Sequence, residues 1–279
     1  MSVRRTRRLR VSLVTLAAAS CIGWSGTTTR WAAWKAVEFF PPDLKRHVRL
    51  HDDRFDAGIQ RGLASPPAWR AASPGRLEAA LEAQVLHCAS ALRTPVPLAD
   101  LVEELGVLAV RVFDANDPLA VGHHDALEPN YAGSYQRYVD SVRDRLRLVY
   151  YGQDPALIRG HRVDGAIRAI FDRSRNLYPF LGEEFYRTGE LRGWRDLDDR
   201  SVAFGVAGVS LSRGLTDLAN FAAYVWDVGG GLVPPPRPTP TGHVGPTVTL
   251  TLEGGFPDRQ RPGRGESVMP RKKIVLPPP

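Results

Sequence analysis

Along most of this chain apolar side chains return every three or four positions, the period of a helix with one buried face. No run between residues 24 and 231 alternates convincingly as a half-buried strand would. The pattern predicts an all-α protein, a single multi-helix domain, with helices near 29–40, 43–61, 75–92, 97–115, 131–150, 155–174 and 197–228. Thr28 or Thr29 reads as the first N-cap, and the prolines at 41 and 42 as the stop of the first helix. In the last helix Val206, Val209, Leu215, Leu218, Phe221, Ala222 and Val225 form one apolar stripe, and the glycines of "WDVGGG" end it. Trp31, Trp34, Phe39 and Phe40 share helical spacing, which favours core packing over a platform for stacked bases.

The pattern breaks at residue 232. From there to residue 279 the chain reads "LVPPPRPTPTGHVGPTVTL" and later "RQRPGRGESVMPRKKIVLPPP". Proline at this density removes backbone donors and predicts a solvated, disordered tail, with a ligand for a proline-recognising partner as the other reading. Within it "TVTLTLEG" alternates over six residues, the pattern of a lone strand.

The formal charge of +7 suggests nucleic acid until it is located. Arg4, Arg5, Arg7, Arg8 and Arg10 put +5 on residues 1–23, and seven basic against three acidic residues put +4 on residues 232–279. By subtraction residues 24–231 carry about −2, too little for a surface that tracks phosphates, so no specific nucleic-acid binding is expected. The first ten residues, "MSVRRTRRLR", and the apolar "VSLVTLAAAS" that follows have the form of an export signal, too short to span a membrane. Cleavage fits near Ala19 or just before Trp24; "AASC" alternatively offers Cys21 for lipidation, although Ala stands where a lipoprotein signal usually has Leu. The expected location is periplasmic, extracellular or lipid-anchored through Cys21, with a membrane-surface or envelope partner compatible with each. Cys21 and Cys88 are the two cysteines, too few for a disulfide framework or a thiolate zinc site; Cys88, in "VLHCASAL", reads as a small buried thiol.

Three stretches carry the candidate chemistry: "WSGTTTRWAAWKAVEFFPPDLK" at 24–45, "LAVRVFDANDPLA" at 108–120 and "AGSYQRYVDSVRD" at 132–144. Together they resemble the bacterial zinc-dependent phospholipases C and the related single-strand nucleases. Those proteins begin with a Trp, continue into a helix of this type, and carry a helix with Leu-x-His-x-x-x-Asp-x-x-Gln-Pro-x-His followed by a helix with His-x-x-x-Glu. The likeness covers 24–45 and 105–150; the remainder matches only as generic helix. It implies an all-helical fold and a cleft where three zinc ions activate water against a phosphodiester.

The same resemblance implies that this chemistry is lost. Carried over, the family's ligand positions fall on Thr29, Val110, Asp114, Ala120, Ala132 and Gln136, beside Trp24, and Asp114 alone keeps a ligand's identity. A further Asp and His of the family find no counterpart. Methyl groups donate no lone pair, so the expected protein is a pseudoenzyme, with no cofactor and with no catalytic residue assigned. The expected remnant is a hydrogen-bonded cluster of Thr29, Asp114 and Gln136, with Arg30 or Arg111 balancing the carboxylate. A competing reading is a phosphodiester hydrolase with a rebuilt zinc site drawn from Asp114, His123, His124 and Glu128 in "DPLAVGHHDALE", against a plain polar loop. His47, His51, Asp52, Asp53 and Asp56, interleaved with Arg46, Arg49 and Arg54, read as a solvated ion-paired face. The chain has no P-loop, no glycine-rich dinucleotide turn, no Gly-x-Ser-x-Gly and no His-Glu-x-x-His. The division expected is an export signal at 1–23, a helical domain at 24–231 and the tail at 232–279.

Overall fold

A computed structural model describes residues 24–64, 74–94, 96–122, 126–186 and 189–235; the stretch expected to be an export signal, Cys21, "TVTLTLEG" and the expected tail beyond residue 235 lie outside them. The described residues are helical with no strand. The α-helices are α1 (Gly26–Val37), α2 (Pro42–Leu50), α3 (Asp52–Leu63), α4 (Pro74–Ala91), α5 (Leu98–Ala115), α6 (Pro118–Val121), α7 (Glu128–Val142), α8 (Pro155–Ile158), α9 (Val163–Tyr186) and α10 (Val202–Val228).

Two helices organise the rest. Most of α5 is apolar and buried, against α3, α4, α1 and α10, and Asp100, Glu103, Glu104 and Arg111 form its one polar face. The 27-residue α10 packs on α1, α9, α5 and α4, and all seven residues of its predicted stripe enter the core, Val209 only partly. The closest crossing is α3 on α5, where glycines let two backbones touch. A Cβ on Gly106 would press into Phe55 O and lie 2.8 Å from Ile59 N and 2.9 Å from Gly58 Cα, so neither Gly58 nor Gly106 has room for a side chain.

Several boundaries depart from the sequence pattern for local reasons. Ser25, not Thr28 or Thr29, caps α1: its hydroxyl accepts Thr28 N–H at 3.1 Å. The helix expected over 43–61 is two, because His51 leaves helical geometry (φ −121°, ψ 46°) and α3 turns so that Phe55, Gly58, Ile59 and Gly62 meet α5. The helix expected over 155–174 breaks at His161, in the left-handed region at φ 51°, and resumes as α9, which runs through Pro179 to Tyr186. The helix expected over 131–150 stops at Val142, one 3-10 turn follows, and residues 146–154 form an irregular segment, with Gly152 at φ 104°.

That segment is held by a polar ladder on α10. Ser212, Thr216 and Asn220, each one turn apart, accept the N–H groups of Val149, Tyr151 and Asp154, all at 3.0 Å, and Asn220 Nδ2 donates to Gly152 O at 3.1 Å. Backbone donors that a helix would have satisfied internally are thus satisfied by side chains of the neighbour. The His47–Asp56 stretch is an ion-paired face as its sequence suggests, with partners on other helices: Arg49 with Glu38, Arg54 with Asp100 and Glu103, and Asp56 with Arg30. Phe40 is in the core, Trp31 and Trp34 pack partly against it, and Phe39 is 42% exposed, stacked on Tyr150 with ring centroids 4.4 Å apart.

Candidate functional site

Trp24 ties together the elements that carry the expected site. Its indole Nε1 donates to Phe113 O at 3.0 Å, at the end of α5, and its ring lies 5.8 Å from that of Tyr135 on α7. Asp140 of α7 clamps the start of α1: Thr28 Oγ1 donates to it at 2.6 Å, and Ser25 Oγ donates to the same oxygen. Residues next to Asp114 and Gln136 are therefore in contact with one side chain, Trp24, although about 90 and 110 positions separate them from it in sequence.

The surroundings of the carried-over positions are interior. Thr29 and Val110 are fully buried, Asp114 is 1% and Ala120 4% exposed, while Ala132 and Gln136 are partly exposed on α7. Val110 faces α3 rather than an open hollow: a Cβ on Gly62 would lie 2.8 Å from Val110 Cγ2 and 2.9 Å from its Cβ. The expected hydrogen-bonded triad does not form, because Thr29 Oγ1 is buried without a hydrogen-bond partner. Nor does either arginine balance Asp114. Arg30 is drawn to Asp56, with Nε and Nη2 at 2.8 and 2.5 Å, and Arg111 donates Nη1 to Ala80 O at 2.7 Å on the α4 side. Two buried carboxylates hold local structure: Asp117 caps α6 through Leu119 N at 2.9 Å, and Glu128 accepts Tyr178 Oη at 2.5 Å. Tyr135 has a fully buried hydroxyl with no partner; burial first, and then the charge of Asp117, push its pKa well above the ordinary tyrosine value.

For the rebuilt zinc site, His123 and His124 lie outside the described residues, and among the described residues no three His, Cys, Asp or Glu side chains gather closely enough to hold a metal. No helix among the described residues is long and apolar enough to cross a membrane.

The charged group that the sequence pattern did not single out lies where α5, α9 and α10 meet. Arg173 Nη2 donates to both oxygens of Asp217 at 3.0 and 2.9 Å, and Asn116 Nδ2 donates to Asp217 at 3.0 Å. Burial pushes the Asp217 carboxyl above the usual aspartate range, against the pull of Arg173 and Asn116. The available signal was Arg213 and Asp217, two charged residues one turn apart in the middle of a mostly apolar helix, a placement that needs a partner from elsewhere. No protein-family model matches the chain, and no curated protein matches it.

Proposed function

We propose that this is an exported, non-catalytic relative of the zinc-dependent phospholipases C and single-strand nucleases. In this reading the family's metal cleft has become interior packing, and the protein acts by binding at the envelope rather than by cleaving a phosphodiester. The observation that carries it is the state of the inherited ligand positions: Val110 is seated against Gly62, and Thr29, Val110 and Ala120 are at most 4% exposed. Hydrocarbon in van der Waals contact offers neither lone pairs nor room for a hydrated cation. The kinship is supported by Trp24 reaching both the end of α5 and α7, the neighbourhood that the resemblance expects.

The test is hydrolysis of phosphatidylcholine and of single-stranded nucleic acid by the full chain with zinc added. The expected rate equals that of the zinc-only blank. Zinc-dependent turnover that disappears in His123→Ala, His124→Ala or Glu128→Gln supports the rebuilt site instead.

A further inference from the structure

Arg213 has a charge that its surroundings do not neutralise. It stands one turn before Asp217 on α10, but that carboxylate is occupied by Arg173 and Asn116. Arg213 itself makes no hydrogen bond or ion pair among the described residues; its guanidinium lies 4.0 Å from the centroid of the Tyr151 ring. The main chain that carries this ring is held, since Tyr151 N–H donates to Thr216 Oγ1 at 3.0 Å. A ring beneath a guanidinium orients its plane and leaves the in-plane N–H donors unsatisfied. Arg173 is also incompletely used: it gives only Nη2 to Asp217, and its side chain is 36% exposed. One carboxylate therefore neutralises one of the two cations and leaves the other without an ion-pair partner. Burial, and then repulsion from Arg173, make the charged state of Arg213 harder to hold than that of a free arginine.

We propose that Arg213 and Arg173, with Tyr151 as the floor, bind a phosphate group, supplied either by a soluble phosphate ester or by a lipid headgroup. A carboxylate is saturated by one guanidinium fork, whereas the tetrahedral oxygens of a phosphate can bridge two, and the excess positive charge suits an anion. The site uses none of the residues of the inherited cleft, so it stands or falls independently of the kinship.

Calorimetric titration of the full chain with glycerol phosphate at low ionic strength, with sodium chloride as the control, tests the soluble ester. Flotation on phosphatidylcholine vesicles with and without phosphatidate tests the headgroup. Saturable binding to either probe is expected, and the probe that binds assigns the source. Arg213→Gln should weaken it about tenfold or more, the usual scale for a lost charge-assisted bond. Arg168→Gln, which removes the same charge from the exposed pair with Asp164, should leave it unchanged. Arg213→Lys keeps the charge but not the fork and should also weaken binding; it carries the comparison if Arg213→Gln does not fold. Failure of both probes to bind the wild type, or equal weakening by the Arg168 and Arg213 variants, overturns the proposal.

Discussion

Gly106→Ala adds one methyl group at the tightest point of the molecule. Its Cβ would sit 2.8 Å from Ile59 N and 2.9 Å from Gly58 Cα, against about 3.4 Å for ordinary contact. Both neighbours are backbone, so no rotamer change relieves the clash; α3 and α5 must separate by roughly 0.5–1 Å, a gap that forfeits about a quarter to a half of the attraction between facing atoms. Phe55, Ile59, Val102, Leu105 and Val110, all fully buried, are the core side chains contributed by these two helices near the contact. Overpacking of this kind costs about 1–3 kcal/mol, and more where the obstacle is main chain, while alanine returns about 1 kcal/mol of helix propensity. Taking the upper end of that cost, the expected net loss is about 2 kcal/mol, a fall in Tm of roughly 4–8 °C for a domain of this size. Gly133→Ala, on α7 where an added Cβ meets nothing within 4 Å, should instead stabilise by up to about 1 kcal/mol. Thermal melts by circular dichroism read both. A Gly106→Ala protein that melts with or above the wild type would refute the reasoning about backbone contact.

Three further outcomes follow from buried groups. Cys88 is a free thiol, and its burial, opposed by a contact from Gln84, pushes its pKa up to about 12, so alkylation at mildly alkaline pH should modify the Cys88 peptide only after urea unfolding; mass-spectrometric labelling of the native protein would contradict this. Thr216→Val removes the acceptor for Tyr151 N–H, with an expected loss of about 1–2 kcal/mol and faster hydrogen exchange at Tyr151; unchanged exchange would remove the ladder from the account. Asp217 binds its proton more tightly in the folded chain than in the unfolded one, so its contribution to stability falls as pH rises from the ordinary aspartate range towards its raised value. Urea melts across that window should show this downward component in wild type and not in Asp217→Asn, and a component of the opposite sign would contradict the burial argument.

The legible parts of the fold were those set by local chemistry. The periods of α4, α5 and α10, with the glycine stop of α10, place those helices to within about five residues at either end. Residues 146–150 misled because their apolar spacing continues that of α7, while Ser212, Thr216 and Asn220, more than sixty positions away, supply the bonds that hold Val149, Tyr151 and Asp154 outside a helix. The same limit applies to the candidate site. The resemblance grouped Asp114, Val110 and Trp24 in one region, but it could not say that Gly62 would seat against Val110 or that Arg30 would be drawn to Asp56, since both depend on how α3 turns after His51. Likewise, Arg213 and Asp217 look like a helical ion pair in sequence, and it is the arrival of Arg173 from α9 that takes the carboxylate away.

Zinc stoichiometry measured by elemental analysis, on full-length protein purified without chelator and dialysed against metal-free buffer, tests the central claim most directly. The account predicts far less than one zinc per chain. Two or three tightly retained zinc ions per chain would contradict it, because no packing of Thr29, Val110 and Ala120 as interior side chains is compatible with a metal cluster at those positions.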